Sequence, residues 1–129
     1  MGSQQLLLIV LGVIIVGIAV VVGISIFGSN ANQANQDAMT QDLLRMASQA
    51  QGYFRKPTML GGGNNSFAGI SLVHCGFKAG VSTNANAAYS ISGASATCGM
   101  SGTSQTVSAA TVTITVSPDA VSSPTASGF

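Results

Sequence analysis

The chain has 129 residues, of which 5% are charged, and a formal net charge of +1. Ordinary soluble domains carry roughly 25% charged residues, so this composition disfavours a free monomer kept soluble by its charge and favours an exported chain that associates. It also excludes much catalytic chemistry: there is one histidine, His74, no glutamate, and three carboxylates (Asp37, Asp42 and Asp119) scattered along the sequence.

The first element is an uncharged apolar run from Leu6 to Phe27. As a helix its 22 residues span roughly 33 Å, against a bilayer hydrocarbon core of about 30 Å. The side chains expected to form an apolar core with their counterparts in other copies are Leu6, Leu7, Leu8, Ile9, Val10, Leu11, Val13, Ile14, Ile15, Val16, Ile18, Val20, Val21, Val22, Ile24, Ile26 and Phe27, with Gln5 at their head. Many of these are β-branched and would read as strand in water. In an apolar medium a lone segment satisfies its backbone only as a helix. The run is too long for the apolar core of a cleaved signal peptide and no Lys or Arg precedes it, so it is expected to stay in the working protein. A plain signal anchor is the competing reading. Gly12, Gly17, Gly23 and Gly28 interrupt the run. They either let neighbouring helices approach closely or permit local unwinding.

Beyond an Asn-rich patch at Ser29–Asn35, a candidate break, Met39, Leu43, Met46, Ala47, Ala50, Tyr53 and Phe54 recur at helical spacing. Asp42 and Arg45 form a helix-compatible pair. Pro57 ends the helix and Gly61-Gly62-Gly63 reads as a flexible turn. One long helix over about residues 4–55, kinked or not at its glycines, is expected. The domain reading is a 1–28 membrane or filament-core helix, a 29–56 amphipathic continuation and a 57–129 β head.

In the head, Ile70–Cys75, Ala88–Ser92 and Thr111–Val116 read as strands. The last alternates strictly, with Val112, Ile114 and Val116 facing the core and Thr111, Thr113 and Thr115 facing water. The tail from Ser117 to Phe129 is either an ordered wrap or frayed. The expected fold class is thus α+β, a long N-terminal helix with a small antiparallel sheet.

Cys75 and Cys98 are the only cysteines. In an exported chain a disulfide is their natural pairing. It would close a loop of about 24 residues, worth about 3 kcal/mol in the chain-entropy model. Two cysteines and His74 are too few for a closed zinc site. No metal, cofactor or catalytic residue is expected. On a strand, His74 and Cys75 would point to opposite faces, which disfavours a nucleophilic pair. Arg55, Lys56 and Lys78 are too few for a nucleic-acid patch. Asn64-Asn65-Ser66 matches the N-glycosylation acceptor pattern with Asn64 as acceptor, and the Ser/Thr-rich head offers O-linked sites instead.

The stretch MGSQQLLLIVLGVIIVGIAVVVGISIF, followed by an amphipathic helix and a small two-cysteine head, resembles the type IV pilins. The resemblance covers residues 1 to about 56; the head matches only in outline. It implies a precursor held in the inner (cytoplasmic) membrane, removal of a short leader, and assembly by pilus machinery into an extracellular filament of many copies, with adhesion or motility as roles. It also places a glutamate at the fifth mature position. If Met1 is the mature start, Gln5 stands there; if Gly2 is the cleavage site, Ser3 comes first. An uncharged amide is cheaper to bury than a carboxylate, so charge pairing is not expected to drive assembly here. The alternatives are a membrane-anchored monomeric binding module (an adhesin or DNA receptor) and a filament of the archaeal kind.

Overall fold

The computed structural model describes residues 2–129. Met1, one of the two readings of the mature start, lies outside the described residues. Helix α1 spans Gly2–Arg55 and is followed by four strands, β1 (Ala87–Gly93), β2 (Cys98–Ser104), β3 (Thr111–Val116) and β4 (Thr125–Ser127). The protein is therefore α+β. The chain divides into two compact units, one up to Gln33 and one over Ala34–Phe129.

Helix α1 runs unbroken from Gly2 to Arg55, as the expected single long helix does, and the candidate break at Ser29–Asn35 does not occur. Nothing in that patch forbids helix: Asn, Gln and Ala have middling to good propensities, and no proline interrupts them.

The second unit is built on the amphipathic half of α1. Met39, Leu43, Met46, Ala47 and Ala50 lie fully buried on one stripe. They pack in one core with Tyr89, Cys98, Met100, Val112, Ile114 and Val116 from the sheet, and with Phe67, Ile70 and Cys75 from the connecting segment. The sheet is an antiparallel meander in the order β1-β2-β3-β4. Strand β3 has the inside–outside alternation expected of Thr111–Val116.

Two stretches differ from expectation. Leu72–Cys75 is a 3-10 turn rather than a strand. His74 Nδ1 accepts the Ser71 backbone N–H at 3.1 Å, a capping interaction that competes with strand geometry, and Gly76 closes the turn at φ +94°. The Gly61-Gly62-Gly63 turn, expected to be flexible, is close-packed at Gly62 and Gly63. A Cβ on Gly62 would collide with Lys56, and one on Gly63 with the Ser66 carbonyl. The Gly63 N–H donates to the Tyr53 carbonyl at 2.9 Å and the Asn64 N–H to that of Lys56 at 2.9 Å, so the corner satisfies the helix's last carbonyls.

The outward face of the sheet consists of small uncharged side chains. Register places Ser90, Ser101, Thr113 and Thr125 in one cross-strand row, and Ala88, Thr103, Thr111 and Ser127 in the next. Hydroxyls bridge strands within these rows, Ser90 to Ser101 at 2.6 Å and Thr111 to Ser127 at 2.9 Å.

Candidate functional site

The apolar surface of α1 is the most conspicuous feature. Each large apolar side chain from Leu6 to Phe27 is between 50% and 79% exposed. Monomeric soluble proteins rarely leave contiguous apolar patches beyond a few hundred Å² uncovered, and this one surrounds the helix on every side. The helix is long and apolar enough to cross a membrane. No neighbouring side chain lies within 4 Å of where a Cβ would stand on Gly12, Gly17, Gly23 or Gly28, so packing within the chain imposes none of these glycines. Gln5 is exposed at the polar end of the run.

In the second unit the polar interactions join α1 to the sheet side. Asp42 accepts the Tyr89 hydroxyl at 2.7 Å, Asn84 Nδ2 at 2.9 Å and Asn86 Nδ2 at 3.1 Å. Burial alone would raise the Asp42 carboxyl, but these three donors, together with the charge of Arg45, outweigh it and hold the group below the usual range. The same contact, after burial, pushes the Tyr89 phenol up. Farther along the helix, Gln51 Nε2 donates to the Ser117 carbonyl at 3.1 Å and Arg55 Nη2 to that of Pro118 at 3.1 Å. Asn35 accepts the Ser104 hydroxyl at 2.6 Å, and that Ser104 oxygen accepts the Thr106 and Val107 N–H groups of the β2–β3 loop.

The structure places Cys75 and Cys98, the pair expected to form a disulfide, in the same core. Both are free, fully buried thiols in one core. Packing explains how the core accommodates them: an unbonded cysteine behaves as a small hydrophobe. Burial, with the neighbouring Cys98 adding to it, pushes Cys75 up to about 12, and burial pushes Cys98 up to about 11. Both are protonated at neutral pH and neither is poised as a nucleophile. His74 is exposed, with its ring against that of Tyr53 at 4.4 Å. Asn64 is also exposed, at φ +51°. Among the described residues no group of three His, Cys, Asp or Glu side chains is placed to hold a metal ion.

Sequence reasoning missed two apolar side chains of the head. Met59 and Leu60, on a 3-10 turn at Thr58–Leu60, are 94% and 71% exposed. Two hydrophobes inside a loop show no periodicity, so no pattern marks them.

No protein-family model, characterised protein or solved structure matches this chain. One long apolar N-terminal helix followed by a small antiparallel sheet is an architecture compatible with that of pilins.

Proposed function

We propose that this chain is a structural subunit of an extracellular, type IV pilus-like helical filament. The carrying observation is the uninterrupted exposure of the apolar helix from Leu6 to Phe27. Burying one such side chain is worth about 1.5–3 kcal/mol relative to water, so a covering is required. In this reading the cytoplasmic membrane covers the helix first and copies of the same helix cover it afterwards. Lipid is as apolar as leucine, so that transfer is nearly an exchange. Helix packing, contacts between heads and an assembly machine supply the difference. Gln5 enters the helix bundle as an uncharged amide that can accept a hydrogen bond from a neighbour's terminal amine. In the oxidising environment outside the cell, Cys75 and Cys98 are the pair available for oxidation.

Electron microscopy of the sheared cell-surface fraction, prepared without detergent and matched to this chain by peptide sequencing, tests the proposal. Uniform thin filaments made of this protein are the expected result. Retention of the chain in membranes, with no filament containing it, replaces this reading with a membrane-anchored monomeric module.

A further inference from the structure

We propose that the hollow between the C-terminal end of α1 and the Leu72–Cys75 turn binds one acidic sugar unit, with the sugar's carboxylate on Lys56 and His74. The site lies wholly within Ala34–Phe129. It is complete in a single copy, whether or not copies polymerise.

The hollow measures about 530 Å³, within the range of about 300–1,000 Å³ of small-molecule sites. Gln49, Tyr53 and Lys56 line it from α1, Leu60 from the Thr58–Leu60 turn, and Val73 and His74 from the Leu72–Cys75 turn. No aspartate or glutamate lines it. Of the chain's three aspartates, Asp119 pairs with Arg55 and Asp42 accepts the Tyr89 hydroxyl. Asp37 stands roughly 28 Å up α1 at the standard helical rise. The positive charge of Lys56 therefore meets no carboxylate side chain in the hollow.

The groups that would meet a ligand are positioned by the fold. The Ser71 backbone N–H donates to His74 Nδ1 at 3.1 Å. That nitrogen is the acceptor, so the proton of the neutral ring sits on Nε2. The Tyr53 ring, with its centre 4.4 Å from that of the imidazole, supports the histidine from one side. Gly62 packs so closely that a Cβ there would collide with the Lys56 Cβ, which fixes the base of the lysine stem. Gly76, at φ +94°, makes room for the Gln49 carboxamide; a Cβ there would stand 2.8 Å from Oε1. Groups already ordered lose less freedom on binding.

A helix C-terminus with free carbonyls repels an anion. At this one the Tyr53, Lys56 and Phe54 carbonyls accept the N–H groups of Gly63, Asn64 and Asn65 at 2.9, 2.9 and 2.7 Å. Lys56 and His74 then supply donors for a carboxylate. Gln49 offers both a donor and an acceptor, which suits sugar hydroxyls. Leu60 and Val73 give an apolar edge for the C–H face of a sugar ring. A fatty acyl chain would cover Gln49 and Lys56 without pairing them, and a bare inorganic anion would leave Leu60 and Val73 uncovered.

The test is an NMR titration of the full chain, isotope-labelled and held in micelles of an uncharged detergent, with glucuronate, glucose and acetate. Glucuronate should shift the amide signals of Gln49, Leu60, His74 and Gly76 saturably, with a dissociation constant on the order of 1 mM. Glucose lacks the carboxylate and acetate lacks the ring, so each should bind at least about tenfold more weakly. Lys56→Gln should weaken glucuronate binding at least about tenfold. Lys78→Gln, which removes a cation outside this hollow, should leave it within about twofold. Both variants should melt as the unmodified chain does. Shifts that fail to saturate by about 50 mM, glucose or acetate binding as tightly as glucuronate, or equal losses from the two lysine variants would each overturn the proposal.

Discussion

One helix contains two kinds of surface, one covered within the chain and one left uncovered. Between Met39 and Ala50, five side chains on one stripe are fully buried by the same chain's sheet and the segment that leads to it. Between Leu6 and Phe27, apolar side chains cover the whole circumference and all remain exposed. A stripe can be covered by one small sheet. A helix that is apolar all round needs a bilayer or several neighbours. The head-side half thus encodes a fold, and the apolar half encodes a demand for other molecules.

That contrast can be broken from either side. The largest effect is expected from Val16→Asp. A carboxylate at the centre of an apolar span costs about 2.5–3.5 kcal/mol on insertion scales. Filaments should disappear from electron micrographs while the thermal unfolding of the head stays as it was; normal filaments from this variant would refute helix-core assembly. Next comes Leu43→Ala on the buried stripe. Removing a fully packed leucine should cost about 2–5 kcal/mol, read as a lower denaturant midpoint of the head.

A smaller loss, about 1–3 kcal/mol, is expected from Asp42→Ala, which leaves the Tyr89, Asn84 and Asn86 donors without their acceptor. The pH dependence has a definite sign. The folded-state carboxyl of Asp42 lies below its unfolded value of 3.8. Its contribution is therefore complete above the unfolded value and disappears as pH falls through the folded one. The head's melting temperature should be level from neutrality to about pH 5 and fall below about pH 4. Asp42→Ala should flatten part of that fall; an identical acid limb in the variant would remove Asp42 from the account. The smallest change belongs to Thr113→Ala on the outward sheet face, expected within about 0.5 kcal/mol by chemical denaturation.

Legibility in the sequence followed periodicity. The apolar run, the stripe from Met39 to Ala50 and the alternation of Thr111–Val116 each repeat with the geometry of the element that contains them, and the fold class follows from those three. Strand β2 was not legible because Gly99, Ser101 and Gly102 have no strand preference. Gly102 is there for a different reason: a Cβ would stand 2.7 Å from the Tyr89 ring, so the sheet needs a gap where the tyrosine crosses. Strand β4 is only three residues long, too short to show a period. Leu72–Cys75 looked extended because its residues are apolar, while the deciding signals, Ser71 three residues before His74 and Gly76 just after the turn, belong to capping. The apolar candidate surface was readable residue by residue from Leu6 to Phe27. The Asp42 cluster was not, because its partners lie 42–47 positions away and only folding brings them together.

The uncharged rows of Ser and Thr on the outward face of the sheet have a consequence for how such a surface meets its surroundings. Mobile ions screen interactions between charges, and this face offers none to screen. Contacts made through it should therefore be indifferent to ionic strength from fresh water to brine.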